Sequence, residues 1–196
     1  MARVDEVGAT LLRAAEGVLA TEGPSALTVR HIAEEAGVST MNVYSRFGGK
    51  DGVVDHLFTE GFARLAAAMD AVAETDDPLA DLRLLGQAYR RFALDNPTYY
   101  SVMFERAVPD FVPSAEAMQR ATATLSLLAA RLARAMAVGA LAPMDPLQAA
   151  AIVWSACHGV MSLELKSAGP SELDWEVVFR RTNEALLIGL VQGTAR

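Results

Sequence analysis

Small polar side chains, one methionine and two cations are concentrated in residues 39–50, a stretch without an acidic residue. When the residues are placed at about 100° intervals, Val43 and Phe47 share one face of a helix and the polar residues and Met41 occupy the rest. Short hydrogen-bonding and methyl-bearing groups suit base edges in a DNA major groove, while hydroxyls and cations suit phosphates. We therefore predict that this helix reads DNA. The residues assigned to DNA binding are Thr28, Ser39, Thr40, Met41, Asn42, Tyr44, Ser45, Arg46 and Lys50.

Two short helices joined by a tight turn are the elements that must position these side chains. Thr28 is suited to cap the first helix and Gly37 to end it, because glycine adopts positive φ at little steric cost. Val38 would fill the angle between the helices, and Ser39 would cap the second helix. An ordinary helical hairpin has the same pattern, so spacing alone leaves both interpretations open.

The order of residues across this segment resembles the signature of TetR-type transcriptional regulators. It reads Ala36-Gly37-Val38-Ser39, then Val43-Tyr44, then Phe47-Gly48-Gly49-Lys50, and the resemblance covers roughly residues 10–55. The resemblance implies a helix-turn-helix that binds double-stranded DNA, with Tyr44 and Lys50 on the phosphates.

The composition of the chain predicts an all-α fold. Of the 196 residues, 52% are hydrophobic and only 7% are aromatic, and the abundance of Ala and Leu favours helices over strands. The single cysteine, Cys157, rules out an internal disulfide framework and fits a reducing cytoplasm. Charged residues interrupt the N-terminal region, so we expect no signal peptide. The longest uncharged run, 146–163, is predicted to be a buried helix and not a membrane span.

The acidic balance of the chain is the main objection to a nucleic-acid partner. The formal net charge is −7, but residues 1–50 carry five basic and six acidic side chains, whereas the remainder carries twelve and eighteen. Most of the excess negative charge therefore lies outside the predicted DNA-binding head, where it disfavours nonspecific contact with nucleic acid. Binding should still weaken with salt, through few phosphate contacts.

Prolines, glycines and helix-capping residues divide the chain into nine predicted helices. The DNA-binding head would comprise residues 1–48 with three helices, and a ligand-binding and dimerisation domain, residues 49–196, would comprise six. Outside the helix-turn-helix, the predicted helices run over about 4–21, 50–74 and 78–94, then from 97, and over about 114–138, 145–167 and 169–193.

A second resemblance lies outside the head. The segment Asn96-Pro97-Thr98-Tyr99-Tyr100, the pair Met103-Phe104, and the trio Trp154, His158 and Gly159 resemble the Trp-His-Gly subtype of TetR C-terminal domains. This resemblance implies a six-helix body attached to the three-helix head. It identifies no effector for that body.

Aromatic and methionine side chains in the middle helices are candidates for the walls of an apolar cavity. Packing in the core is the alternative explanation for most of them, including His158, which shares a helical face with Trp154. The family resemblance implies a pocket, and the residue types favour a small, mainly hydrophobic effector. The candidate ligand-binding residues are Phe92, Tyr99, Met103, Phe104, Met118, Leu125, Trp154, His158 and Met161.

The last helix is predicted to lie in a subunit interface. Residues 185–191 read ALLIGLV, which is apolar nearly all round and therefore needs cover on two sides. A second copy of this helix, with the helix at 145–167, would supply that cover about a two-fold axis. The two heads would then meet successive major grooves of a palindromic operator, about 34 Å apart. The candidate interface residues are Ala151, Phe179, Leu186 and Leu190.

These observations favour a homodimeric, ligand-responsive transcriptional repressor in the cytoplasm. No phosphate-binding loop, dinucleotide fingerprint, nucleophile elbow or metal-ligand spacing occurs in the sequence, so we expect no enzymatic activity, cofactor or metal. Two alternatives come from other classes. One is a helical enzyme or carrier that buries a small molecule without touching DNA, and the other is a purely structural helical oligomer.

Overall fold

The fold is all-α, as predicted. The computed structural model describes residues 5–192, and over that range the chain forms nine α-helices, one 3-10 turn and no strand. The predicted helix start at Val4 and helix end at Gly193 lie outside the described residues. The helices are α1 (Glu6–Thr21), α2 (Val29–Glu35), α3 (Thr40–Phe47), α4 (Lys50–Asp70), α5 (Pro78–Asp95), α6 (Pro97–Phe104), α7 (Ala115–Ala137), α8 (Pro146–Leu165) and α9 (Trp175–Gln192).

Contacts between Cα atoms divide the chain into two compact units. Unit 1 comprises the described residues up to Ala63 together with Asn96–Ala121, and unit 2 comprises Arg64–Asp95 together with the described residues from Thr122 onward. The division falls inside α4 and inside α7. The three-helix head and α6 therefore belong to unit 1. The predicted domain boundary after residue 48 stays a prediction.

Buried apolar side chains of α1, α2 and α3 form the core of the head. Leu11 of α1, Ile32 of α2 and Val43 of α3 have no exposed surface, so each helix contributes one apolar face. Removing a side chain of this size from water stabilises a fold by about 1.5–3 kcal/mol. The prediction that Val43 and Phe47 of α3 point inward is confirmed.

The turn between α2 and α3 follows the predicted chemistry at its start. Thr28 Oγ1 accepts a hydrogen bond from the His31 N–H at 3.1 Å and so caps α2. Gly37 has φ +65°, and the Val38 N–H donates to the Ala33 carbonyl at 2.9 Å. A left-handed residue followed by this bond closes a helix and satisfies one of its last carbonyls. The chain therefore leaves α2 in a fixed direction.

The capping hydrogen bond predicted for Ser39 is absent from the described residues. Ser39 occupies the N-cap position of α3, but its hydroxyl accepts from Asn42 Nδ2 at 3.1 Å and from no backbone N–H. The side-chain amide takes the oxygen that a capping bond would use. Ser39 therefore holds a candidate DNA-binding side chain in place.

A close backbone approach joins the end of α3 to the start of α4. Gly48 ends α3 in the left-handed conformation, with φ +74°. A Cβ atom added to Gly52 would lie 1.7 Å from the Phe47 carbonyl oxygen, so only glycine fits there. The Phe47 ring meets the His56 ring edge-on at a centroid distance of 4.9 Å. The orientation of α3 is thereby tied to the first turns of α4.

Unit 1 packs α6 on α4 around a second glycine. A Cβ atom added to Gly61 would lie 2.5 Å from Met103 Sδ. The rings of Phe62 on α4 and Phe104 on α6 also meet edge-on, with their centroids 5.4 Å apart. Gly61 therefore permits close packing of the two helices.

The start of α7 is anchored to α4 in the same unit. The Asp55 carboxylate accepts hydrogen bonds from the Ser114 N–H at 2.7 Å and from its hydroxyl at 2.8 Å. Ser114 Oγ in turn accepts from the Ala117 N–H at 3.1 Å. The predicted N-cap at Ser114 is confirmed, and Asp55 holds that cap in place.

Helix α4 ends at Asp70, so its predicted extension to Glu74 is wrong. In unit 2, Arg131 Nη2 donates a hydrogen bond to the Val72 carbonyl at 2.8 Å. This carbonyl is satisfied by a side chain 59 residues away and needs no helical N–H partner. Helical periodicity carries no information about such a distant donor.

Helix α9 begins at Trp175, so the predicted start at 169–171 is also wrong. The Asp174 carboxylate accepts from the Val177 N–H at 3.1 Å. Aspartate is a strong N-cap, and this bond fixes where the helix begins.

Helix α8 is buried on one side only, which corrects the prediction of a buried helix at 146–163. Ala149 and Met161 have no exposed surface, whereas Ile152 and Leu163 are exposed. No helix within residues 5–192 is long and apolar enough to cross a membrane. The exposed apolar side chains of α8 are therefore candidates for contact with another protein surface.

Helices α5, α8 and α9 meet in unit 2 around Asn183. Cys157 Sγ donates to Asn183 Oδ1 at 3.3 Å, and a Cβ atom added to Gly86 would lie 3.2 Å from that oxygen. Burial raises the pKa of the Cys157 thiol to about 11, so the sulfur stays protonated at neutral pH. Cys157 therefore packs and donates within the core and is not a reactive thiolate.

Replacing Gly52 by Ala should lower the free energy of unfolding by at least about 1–3 kcal/mol, because the methyl group would collide with backbone. Gly17→Ala, inside α1, is the matched control, since nothing lies within 4 Å of a Cβ atom there. That control should stabilise the protein by about 0.5–1 kcal/mol. Urea unfolding of both variants measures the difference. Equal free energies of unfolding would contradict the close approach.

Candidate nucleic-acid interface

Helix α3 presents candidate DNA-binding side chains on the side away from the core of the head. Met41 and Tyr44 are 69% and 54% exposed, and Thr40 and Ser45 are exposed as well. Val43, on the opposite face, is fully buried. The exposed face offers hydroxyls, an aromatic ring and a thioether, which can contact polar base edges and thymine methyl groups.

Three other candidate residues form a hydrogen-bonded network that ends at Asp5, the N-cap residue of α1. Arg46 Nε and Nη2 donate to the Asp5 carboxylate at 2.8 and 2.7 Å. Arg46 Nη1 donates to Asn42 Oδ1 at 2.9 Å, and the Asn42 amide nitrogen donates to the Ser39 hydroxyl. The carboxylate of the α1 N-cap thus holds Arg46, which in turn binds Asn42, and Asn42 binds Ser39.

The ion pair shifts the protonation equilibria of both partners. Hydrogen bonds from Arg46 and from the Gly8 N–H lower the pKa of Asp5 from 3.8 to about 2. The hydrogen bond to Asp5 raises the pKa of Arg46 above its usual value. Because the folded pKa of Asp5 is lowered, the stabilising effect of the pair is complete above pH 3.8 and is lost as the pH falls towards 2. Both groups therefore stay charged at neutral pH.

Sequence reasoning missed Asp5 as part of this surface. Asp5 and Arg46 lie 41 residues apart, whereas periodicity reports on neighbours within one helix. The available signal was an acidic residue just before α1, which points to a helix cap. Asp5 does cap α1, since its carboxylate accepts from the Gly8 N–H at 2.8 Å.

An open groove of about 560 Å³ lies beside α3 in unit 1. Thr28, Tyr44 and Lys50 line this groove together with Pro109 and Asp110 from the segment between α6 and α7. Two hydroxyls and an ammonium group are donors that suit phosphate oxygens. The structure thus brings Thr28, Tyr44 and Lys50 to one groove, which Asp110 also lines.

The candidate ligand-binding residues are divided between the two units. Four of them, Phe92, Tyr99, Met103 and Met161, are buried, whereas Met118 is exposed. Unit 1 holds Tyr99, Met103, Phe104 and Met118, and unit 2 holds Phe92, Leu125, Trp154, His158 and Met161. The Trp154 and His158 rings lie side by side with centroids 5.8 Å apart. Their role in ligand binding stays a prediction.

Tyr99 and Met103, two of the candidates in unit 1, contact α1 and α4 respectively. The Tyr99 hydroxyl donates to Glu16 Oε2 of α1 at 3.1 Å. Met103 lies against Gly61 of α4, as described above. A displacement of either side chain would therefore act directly on α1 or α4.

An exposed apolar surface runs along α8 and α9 in unit 2. Ile188 of α9 is 57% exposed, and Val191 of the same helix is also exposed. Ile152 and Leu163 of α8 are exposed in the same way. Large apolar side chains exposed on two neighbouring helices are typical of an interaction surface.

The candidate interface residues differ in how much surface they offer. Ala151, Leu186 and Leu190 are half-buried. Phe179 is only 3% exposed and lies in the core of unit 2. Phe179 can therefore pack beneath the side chains of such a surface, but almost none of its own area is accessible to a partner.

Comparisons with known sequences assign most of the chain to one family. The model of bacterial regulatory proteins of the tetR family matches residues 11–57. The model of the tetracyclin repressor-like C-terminal domain matches residues 82–186. A search of curated protein sequences gives no match.

Solved structures share the fold over nearly the whole chain. A protein of unknown function from Rhodococcus sp. RHA1 is 25% identical, with a TM-score of 0.83 and coverage of 96% of this chain and 97% of that chain. The TetR family regulator PfmR from Thermus thermophilus is 22% identical, with a TM-score of 0.70 and coverage of 95% and 99%. The fatty acid degradation regulator FadR from Bacillus halodurans is 19% identical, with a TM-score of 0.79 and coverage of 99% and 98%. The chain belongs to the TetR family of bacterial transcriptional regulators, with an N-terminal helix-turn-helix and a helical C-terminal domain.

Proposed function

We propose that this protein is a homodimeric repressor that binds a palindromic operator and is released from it by a small, mainly hydrophobic effector. It would act in the cytoplasm, where it meets both DNA and metabolites. Trp154, His158 and Gly159 support the finer proposal that its C-terminal domain is of the Trp-His-Gly subtype.

The exposed face of α3 is the observation that carries the DNA-reading part of the proposal. No carboxylate occurs on α3 itself, so no acidic side chain of this helix would face a phosphate. The exposure of Met41 and Ser45 suits contact with base edges. Tyr44 and Lys50 line one groove together with Asp110, and their hydroxyl and ammonium groups suit contact with a phosphate.

The apolar surface of α8 and α9 supports the dimer. Exposing Ile152, Leu163, Ile188 and Val191 together to water is unfavourable, and a second copy of the same surface removes all of them from water at once. A two-fold axis makes the two heads equivalent. The operator should therefore consist of two inverted half-sites about one helical turn apart.

Release by an effector is supported by the packing of unit 1. Met103 and Tyr99, two candidate ligand-binding residues, contact α4 at Gly61 and α1 at Glu16. An effector that binds best when these side chains are displaced would favour a different position of α4. Such an effector lowers operator affinity by no more than the factor by which it binds the displaced state more tightly than the DNA-bound state.

A mobility shift with the DNA upstream of the protein's own gene, repeated over a range of salt concentrations, tests the proposal. The expected result is a discrete complex that weakens as salt rises and resists excess mixed-sequence DNA. A helical carrier, enzyme or structural oligomer would give no such complex.

Replacing Asn42 by Ala should cost roughly 1–3 kcal/mol of operator binding and relax preference at one base position, because an amide can pair with a base edge. Lys50→Gln should weaken all sequences about equally and make the salt dependence shallower by about one phosphate contact. Selection from a random DNA pool and salt titrations measure the two effects. An Asn42→Ala protein that stays helical and keeps full affinity and preference would defeat this assignment.

Replacing Ile188 by Asp should yield monomers, because the side chain is already exposed in one subunit and would bury a charge in the dimer. Leu84→Asp is the matched control, because Leu84 is 50% exposed on α5, outside the proposed interface. Light scattering at micromolar concentration measures the mass of each variant. A monomeric wild type, or an Ile188→Asp protein that stays dimeric, would end this dimer model.

A true effector should lower operator affinity by the same factor by which operator DNA lowers effector affinity, since linkage is reciprocal. Trp154→Ala should weaken that effector at least about tenfold, or about 1.4 kcal/mol, without changing operator affinity in its absence. Trp175→Ala is the control, because Trp175 is not a candidate ligand-binding residue. Hydrophobic compounds that shift the melting temperature can be tested by calorimetry with and without DNA. The assignment fails if both tryptophan variants respond alike.

A further inference from the structure

We propose that Asp5 is a specificity-determining positioning residue, which withholds Arg46 from DNA phosphates and sets the orientation of the Asn42 amide. The inference rests on the proposed DNA-reading role of α3 and adds to it a residue outside the helix-turn-helix. Asp5 touches no DNA in this proposal. It acts through Arg46 and Asn42.

The geometry of the ion pair occupies the fork of the guanidinium. Nε and Nη2 of Arg46 both donate to the Asp5 carboxylate, at 2.8 and 2.7 Å, and Nη1 donates to Asn42. A bidentate pair of this kind is among the stronger and more directional hydrogen-bonded contacts in proteins. Arg46 therefore lies on the proposed DNA-reading helix with its charge already compensated, and in this proposal the contact with Asp5 replaces the DNA contact that the sequence predicts for Arg46.

The same contacts fix which way the Asn42 amide points. A guanidinium has donors only, so the Asn42 atom that faces Arg46 must be the oxygen. The amide nitrogen then donates to the Ser39 hydroxyl at 3.1 Å. Asn42 consequently meets a base with its donor and acceptor already placed, and no rotamer search is needed on binding.

Withholding one cation lowers the affinity for every DNA sequence, whereas orienting Asn42 favours particular bases. Each phosphate neutralised by Lys or Arg steepens the salt dependence of binding by about 0.9 in log K against log[salt] and strengthens binding to any sequence. A free Arg46 would add such a contact for operator and mixed-sequence DNA alike. With Asp5 in place, the head loses that indiscriminate contact and keeps an oriented Asn42.

The Asp5→Asn variant separates this role from helix capping. Asn caps a helix as well as Asp does, so the bond from the Gly8 N–H can persist while the charge is lost. Glu6→Gln is the control, because Glu6 is the neighbouring exposed acid in the first turn of α1 and its loss changes the net charge equally. Circular dichroism and thermal melting establish that each variant is folded.

Fluorescence anisotropy with a labelled, mixed-sequence duplex of about 30 bp, at roughly 50 to 200 mM salt, provides the readout. Asp5→Asn should steepen the salt slope by about 0.9 and tighten binding about tenfold near 0.1 M salt. Glu6→Gln should leave the slope at the wild-type value. Selection from a random DNA pool should give a lower ratio of best-site to mixed-sequence affinity for Asp5→Asn than for Glu6→Gln, because Asn42 loses the orientation that the paired Arg46 gives it.

Arg46→Gln gives a second test that does not depend on Asp5→Asn folding. If Asp5 withholds Arg46, removing the arginine leaves the mixed-sequence salt slope unchanged, and Asp5→Asn has no effect on that slope in the Arg46→Gln background. Equal slopes for Asp5→Asn and Glu6→Gln, or a slope reduced by about 0.9 in Arg46→Gln, would overturn the inference. A wild-type protein that binds no duplex at any salt would instead overturn the proposed function.

Discussion

The close approach of the α3 backbone to the first turn of α4 is the constraint on which the rest of the protein depends. The Phe47 carbonyl occupies the space that any side chain at Gly52 would need, and the Phe47 ring meets His56 one turn further along α4. Interiors packed at this density do not deform continuously. A rotation of the first turns of α4 would therefore act directly on the end of α3.

Helix α4 is held just as closely on its other contacts within unit 1. Gly61 admits the Met103 side chain, Phe62 packs against Phe104, and Asp55 binds the start of α7. These three contacts use three different means, namely an absent side chain, an aromatic pair and a charged hydrogen bond. Helix α4 is thus in direct contact with Met103 and Phe104, which the sequence suggested for ligand binding. The proposed release by an effector would therefore need no long chain of intermediates.

The sequence predicted well those features that depend on neighbours along one helix. The caps at Thr28 and Ser114, the turn at Gly37 and the inward face of α3 follow from local chemistry, and the structure has them. Two features were missed because a distant group intervenes. Arg131 binds the Val72 carbonyl beyond the end of α4, and Asp5 binds Arg46, and partners brought together by folding leave no periodic signal in the chain. Two other errors are local: Asn42 binds the Ser39 hydroxyl three residues before it, and Asp174 caps α9 later than predicted.

The scarcity of positive charge in the head bears on how the proposed repressor would be switched. Residues 1–50 hold only five basic side chains, and Arg46, one of these five, is already paired with Asp5. Few phosphate contacts give weak binding to any one half-site, because each contributes through counterion release. Useful affinity then comes from base contacts and from both heads binding at once, which multiplies the two affinities only when their spacing fits. A displacement of α4 that changes this spacing would prevent both heads from binding at once, and each head would then bind its half-site only weakly. In the proposed repressor, the low positive charge that disfavours binding to random DNA would therefore also make the operator complex sensitive to a small movement of α4.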